Sequence, residues 1–169
     1  MSLVRGIYGD VKSATMGEEV EGWQEEIFKY ASKSKHEKED LINIFYEENQ
    51  DLDNKLFLAD ILVQLKCKKI IPELKKVLEN SDREHQIWAA TNLIVLGDEI
   101  GIGVIRKIAK TANKNELDFI TEMLCDAKNK IATELIIELA HKYEVIKNSV
   151  NLTGLEAKLI KYQNQENKN

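Results

Sequence analysis

The residues of this chain that could do chemistry are three histidines, two cysteines and a large set of carboxylates. His36, His85 and His141 have no second histidine at i+3 or i+4, so no single helix offers the paired imidazoles of a helical zinc site. Cys67 and Cys125 belong to no CxxC pair and read as reduced thiols of a cytoplasmic protein. A cysteine nucleophile needs a base within hydrogen-bond reach, and neither a GxSxG elbow nor a local Cys/His pairing supplies one. No glycine-rich phosphate loop occurs, and Gly97, Gly101 and Gly103 mark a turn between helices instead. The expectation is a protein without catalytic residues, metal or cofactor, whose chemistry is the placement of charge.

The elements that must position those charges are helices. The chain has 169 residues, enough for one domain with a core, and 43% of them are hydrophobic and 31% charged, which argues against wholesale disorder. One proline, Pro72, and eight glycines leave little material for turn-rich β architectures. Apolar spacing predicts helices from about 18, then over 37–49, 52–66, 70–80, 83–97, 100–112, 114–128, 130–143 and 152–163. Ser81 or Asp82 can cap the helix that begins at Arg83. Residues 1–17, with Gly6, Gly9 and Gly17, read as an irregular N-terminal arm, 18–163 as a single domain, and 164–169 as a frayed tail.

The net charge is −5, and its excess lies in the first 50 residues, which hold 11 acids against 6 bases; the remainder balances at 18 against 18. That argues against general nucleic-acid binding, which relies on clustered Lys and Arg. No apolar run approaches the length of a membrane helix, and the N-terminus lacks the apolar core of a signal peptide. The expected location is cytoplasmic.

Self-similarity is the strongest signal. An ungapped period of 31 residues aligns Leu62, Leu93 and Leu124; Phe57, Trp88 and Phe119; Leu74, Ile105 and Ile136; Val77, Ile108 and Leu139; and Leu78, Ala109 and Ala140. Each unit contains two helical stripes and a break, hence a hairpin that must stack on its neighbours to bury its apolar faces. Residues 18–49 read as a degenerate leading hairpin, and Leu155 keeps the offset from Leu124, which makes about four hairpins and a C-terminal capping helix.

Ser81-Asp82, the run Trp88-Ala89-Ala90-Thr91-Asn92-Leu93 and Leu96-Gly97-Asp98 carry a resemblance to HEAT-like repeats of the phycobilisome-lyase type. Leu65-Lys66-Cys67 and Ala127-Lys128-Asn129 stand at the Leu-Gly-Asp position of the neighbouring units, and His85-Gln86 stand where the family has a Val-Arg pair, so its arginine–aspartate ladder is missing. The resemblance covers about residues 50–144. It implies an all-α fold, a right-handed α-α superhelix, and a range of roles: scaffold, adaptor, inhibitor, and less often lyase or DNA-repair enzyme.

The resemblance also implies that the second helix of each hairpin lines a concave face. With Ala89, Leu93 and Leu96 taken as core, a helical wheel places Glu84, Ile87, Thr91, Ile94 and Val95 opposite, and the 31-residue shift adds Asp53, Leu56, Asp60, Asn115, Asp118, Glu122, Cys125 and Asp126. Trp88 falls at the boundary. The expected partner-binding set is therefore Asp53, Leu56, Asp60, Glu84, Ile87, Trp88, Thr91, Asp118, Glu122 and Asp126, an apolar centre with an acid rim suited to a basic protein partner. A narrower form of this reading is a bacterial immunity-type inhibitor of a toxin. The competing reading is a nucleic-acid-binding or DNA-repair HEAT-like protein using the lysine-rich edges.

Overall fold

The computed structural model describes residues 2–13, 20–47 and 51–166. All regular structure among them is helical. The chain divides into two compact units, Met1–Ile70 and Ile71–Asn169, where the sequence suggests one domain over 18–163.

The first unit contains α1 (Leu3–Ser13), α2 (Val20–Lys33), α3 (Lys35–Phe45), α4 (Leu52–Gln64) and a 3-10 turn, Lys68–Ile70. Ser34 caps α3, accepting from the Glu37 N–H, and Leu41, Ile44 and Phe45 at i, i+3 and i+4 form its buried stripe. The expected irregular arm is instead a helix over Leu3–Ser13, with residues 14–17 outside the described set. Val4 and Tyr8, one turn apart, are buried at 0% and 4% exposure. Side chains outside α1, one of them more than thirty positions away, satisfy three of its first N–H groups. The Glu37 carboxylate accepts from the N–H groups of Leu3 (3.2 Å) and Val4 (2.9 Å), and Ser2 Oγ accepts from Arg5 N–H and donates to Asp40. Arg5 closes the clamp on Glu47 at 2.7 Å.

The second unit contains α5 (Ile71–Asn80), α6 (Arg83–Val95), α7 (Ile100–Ala109), α8 (Lys114–Asp126), α9 (Lys130–Lys142), α10 (Glu144–Ser149) and α11 (Leu152–Glu166). The short α10 falls in a stretch with no expected helix, and α11 runs three residues into the expected frayed tail, whose last three residues are not described. Ile87, Ala90, Ile94, Ile105, Ile108, Ile120, Leu124, Ile136 and Leu139 belong to one continuous core. Helix α6 is its centre, packed on α5, α7, α8 and α9.

The 31-residue period is written into helix ends as well as cores. Helices α4, α6 and α8 start at 52, 83 and 114 and stop at 64, 95 and 126. Each follows a capping residue in the same register. Asp51, Asp82 and Asn113 accept from the N–H of Asn54, His85 and Glu116 at 2.8, 3.0 and 3.0 Å. Each is followed by one residue of left-handed backbone, Lys66 (φ 54°), Gly97 (φ 81°) and Lys128 (φ 48°). At the first two, paired reverse hydrogen bonds close the helix. Cys67 N–H reaches Leu62 O and Lys66 N–H reaches Val63 O; Asp98 N–H reaches Leu93 O and Gly97 N–H reaches Ile94 O.

The aligned columns Leu62/Leu93/Leu124 and Leu74/Ile105/Ile136 are all buried, whereas in the aromatic column Phe57 is buried and Trp88 and Phe119 are half-buried. Two ion pairs join successive hairpins of the second unit: Arg83 to Glu116, and Arg106 to Glu138 through both Nε and Nη2. Lys75 meets Asp98 at 2.8 Å.

Candidate functional site

Of the ten residues expected to bind a partner, Asp53, Leu56 and Asp60 lie on α4 in the first unit, and the other seven lie on α6 and α8 in the second. The apolar centre expected of the groove is not a surface. Leu56, Ile87 and Thr91 are 1%, 0% and 3% exposed, Ile94 is 1% exposed, and the Thr91 hydroxyl donates to its own helix at Ile87 O. The helical wheel assumed one buried side for each second helix. Helix α6 is instead apolar nearly all round and enclosed by four helices, as such a helix must be.

The acid rim does face solvent on α8. Glu122 and Asp126 are exposed and Asp118 is half-buried, while Leu117, Ile120, Thr121 and Leu124 take the core side. Positions 118, 122 and 126 are successive i+4 steps, so the three carboxylates form one stripe along the helix, rising about 6 Å per step. Among the described residues no Lys or Arg forms an ion pair with any of the three; Asp118 accepts only a long hydrogen bond from Ser149 Oγ, at 3.5 Å. Cys125 stands between Glu122 and Asp126. Partial burial of its sulfur and, next, the Asp126 carboxylate push the thiol pKa up, while Lys158 opposes them. A thiol held protonated is a poor nucleophile.

Beside the stripe, the N-terminal ends of α6 and α8 enclose a crevice of about 460 Å³. Glu84 and Asn115 stand at its mouth, and Phe119 and the edge of Ile87 form its apolar wall. Arg83 and Glu116, both outside the expected set, are the ion pair that spans it. Arg83 Nη2 donates to Ile108 O (3.0 Å) and Thr111 Oγ1 (3.1 Å), and its buried Nε lies 2.8 Å from Glu116 Oε1 without in-line hydrogen-bond geometry. Glu116 in turn accepts from Asn113 N–H in a capping box, so one carboxylate joins the start of α6 to the start of α8. The capping box is visible in sequence as Asn113-x-x-Glu116. The Arg83–Glu116 pair is not, because its 33-residue separation falls off the period.

The histidines do not converge. His36 and His141 are exposed, and His85 Nδ1 sits 2.7 Å from the cap residue Asp82. Among the described residues no group of three or more His, Cys, Asp or Glu could hold a metal ion. No described helix is long and apolar enough to cross a membrane. No protein-family model, curated protein or solved structure matches the chain.

Proposed function

We propose that this chain is a HEAT-like α-solenoid that serves as a non-catalytic binding module, holding a basic segment of another protein along α8 and in the adjoining α6–α8 crevice. The observation that carries the reading is the stripe Asp118, Glu122 and Asp126, which meets no Lys or Arg among the described residues. Asp98, Glu116 and Glu138 of the same unit each meet a Lys or Arg, whereas these three acids, set at successive i+4 steps on one helix face, meet none among the described residues. Like charges at i, i+4 cost a helix a few tenths of a kcal/mol per pair, about 0.2–0.5. A cationic partner removes that cost and adds attraction that speeds its approach. The regular caps and left-handed closures at 31-residue spacing support the repeat architecture, which presents neighbouring helix faces to extended partners.

Titration with a synthetic lysine-rich peptide, followed by amide NMR, tests the reading. Saturable shifts are expected at Glu84, Asp118, Glu122 and Asp126, weakening steeply with salt. The double charge reversal Asp118→Lys, Glu122→Lys is expected to abolish them. Unchanged binding in that variant overturns the assignment, and tight retention on DNA at low salt favours the nucleic-acid reading in its place.

A further inference from the structure

We propose that a second crevice, where the end of α5, the start of α6 and the end of α7 meet, is a binding site for a carboxylate carried on a short apolar body. The crevice holds about 250 Å³. Its polar lining is Arg83, Lys107, Gln86 and Thr111, its walls include Leu78 and Val104, and none of its lining residues is acidic. In a chain with 29 acids against 24 bases, this lining carries two cations and no carboxylate; Glu116 pairs with Arg83 at Nε from the neighbouring crevice, so Lys107 supplies the uncompensated positive charge.

The cations are held ready. Arg83 is fixed by its bonds from Nη2 to Ile108 O and Thr111 Oγ1 and by Glu116 Oε1, 2.8 Å from its Nε, which leaves Nη1 without a hydrogen bond among the described residues. By occupying Ile108 O, the guanidinium also covers a carbonyl at the negative end of α7, which would otherwise repel an anion. Lys107, exposed on the rim, forms no ion pair among the described residues. Gln86 is pinned by Nε2 donating to Leu78 O and Ser81 O. The shape of the ligand follows from the walls. A carboxylate can accept from Arg83 Nη1 with one oxygen and from the Lys107 ammonium with the other, and the apolar sides reward methylene groups, which inorganic phosphate lacks. The volume equals about eight waters, or about the non-hydrogen atoms of hexanoate.

Two sources share this chemistry, a free short-chain acid and the C-terminal carboxylate of a polypeptide with an apolar last residue. The test titrates the folded protein with hexanoate, with N-acetyl-leucine and with hexan-1-ol, following amide NMR. Both acids are expected to shift Lys107, Ile108 and Thr111 saturably, with a dissociation constant of about 1 mM for the better one. Hexan-1-ol should not saturate, and Lys107→Glu should weaken the acids about tenfold, with Lys107→Gln intermediate. Tighter binding of N-acetyl-leucine assigns the site to a polypeptide terminus, and tighter binding of hexanoate assigns it to a free acid. The proposal is overturned if neither acid saturates by about 20 mM, if Lys107→Glu leaves binding unchanged, or if hexan-1-ol binds as well as hexanoate. The site shares no residue with the α8 stripe and shares Arg83 with the α6–α8 crevice; Lys107 lines this site and not that crevice, so Lys107→Glu separates these outcomes from peptide binding there.

Discussion

Gly101 packs its α-carbon against the backbone of Ala90 so closely that a Cβ at Gly101 would lie 2.3 Å from Ala90 O and 2.9 Å from the Ile94 side chain. This is where α7 crosses α6 at the centre of the second unit's core. In a free helix, glycine is worse than alanine by about 1 kcal/mol. At this position the close approach reverses the preference, since no rotamer change moves a backbone carbonyl.

Gly103, two residues along the same helix, has nothing within 4 Å of its Cβ position. The pair is an internal control. Gly101→Ala should destabilise the protein by about 2–3 kcal/mol through overpacking, and Gly103→Ala should stabilise it by up to about 1 kcal/mol. Urea unfolding of the two variants decides the matter, and equal effects of the same sign would remove the crossing argument.

The left-handed residues after α4, α6 and α8 are one glycine and two lysines. A Cβ in that backbone region costs about 1 kcal/mol or somewhat more. Lys66→Gly and Lys128→Gly should therefore each stabilise by about 1 kcal/mol, less some unfolded-state entropy, and Gly97→Ala should cost about the same. Thermal melts of the three variants check the signs.

That trio also shows what the sequence discloses and what it does not. Periodic apolar residues locate helices, and the caps at Asp51, Asp82 and Asn113 recur because every second helix must start the same way. Only Gly97 announces its turn by residue type; Lys66 occupies it within the reverse hydrogen bonds to Val63 O and Leu62 O, and Lys128 follows the buried Leu124 at the same register without that pair among the described residues. Helix α1 escapes a local reading because its stripe is short, it carries Gly6 and Gly9, and its donors are closed by the distant Glu37 carboxylate and by Ser2, itself anchored on Asp40. Six-residue α10 is too short to show a period. The groove's apolar centre fails for a different reason. A wheel drawn for one helix cannot know that α6 is covered on several sides, whereas α8, with a polar face, shows its exposed side plainly.

Asp98 and Glu138 tie the second unit's stability to pH. The Lys75 ammonium, then the Ile100 N–H, hold the Asp98 carboxyl below its ordinary 3.8 against the effect of burial. Arg106, then Lys142, do the same for Glu138 below its ordinary 4.5. A carboxylate with a depressed folded-state pKa contributes stability above its unfolded pKa and loses it as pH falls through the folded value. The melting temperature should hold down to about pH 5 and fall as these groups protonate, from about 4.5 downward. Asp98→Asn with Glu138→Gln should be less stable at neutral pH and show a shallower acid decline. Parallel declines in the variant and the parent would rule these two groups out as the cause.

Glu122 sits between Asp118 and Asp126 with a like charge one turn away on each side, so the free protein carries two repulsive i, i+4 pairs at a single side chain. Removing its charge should help folding. Glu122→Gln is expected to stabilise by about 0.4–1 kcal/mol at low salt, and Glu122→Lys by more, because repulsion becomes attraction. Both gains should shrink as ionic strength rises and the screening length falls below the spacing of the stripe. A surface acid without a role has no reason to oppose stability in this way, so the informative result is the coupling of two measurements on one variant. Glu122→Lys should melt higher than the parent and bind a lysine-rich peptide at least about tenfold more weakly. A variant that gains stability and keeps its peptide affinity would leave the stripe as a solvated face, and the binding surface would then have to be sought elsewhere on the second unit.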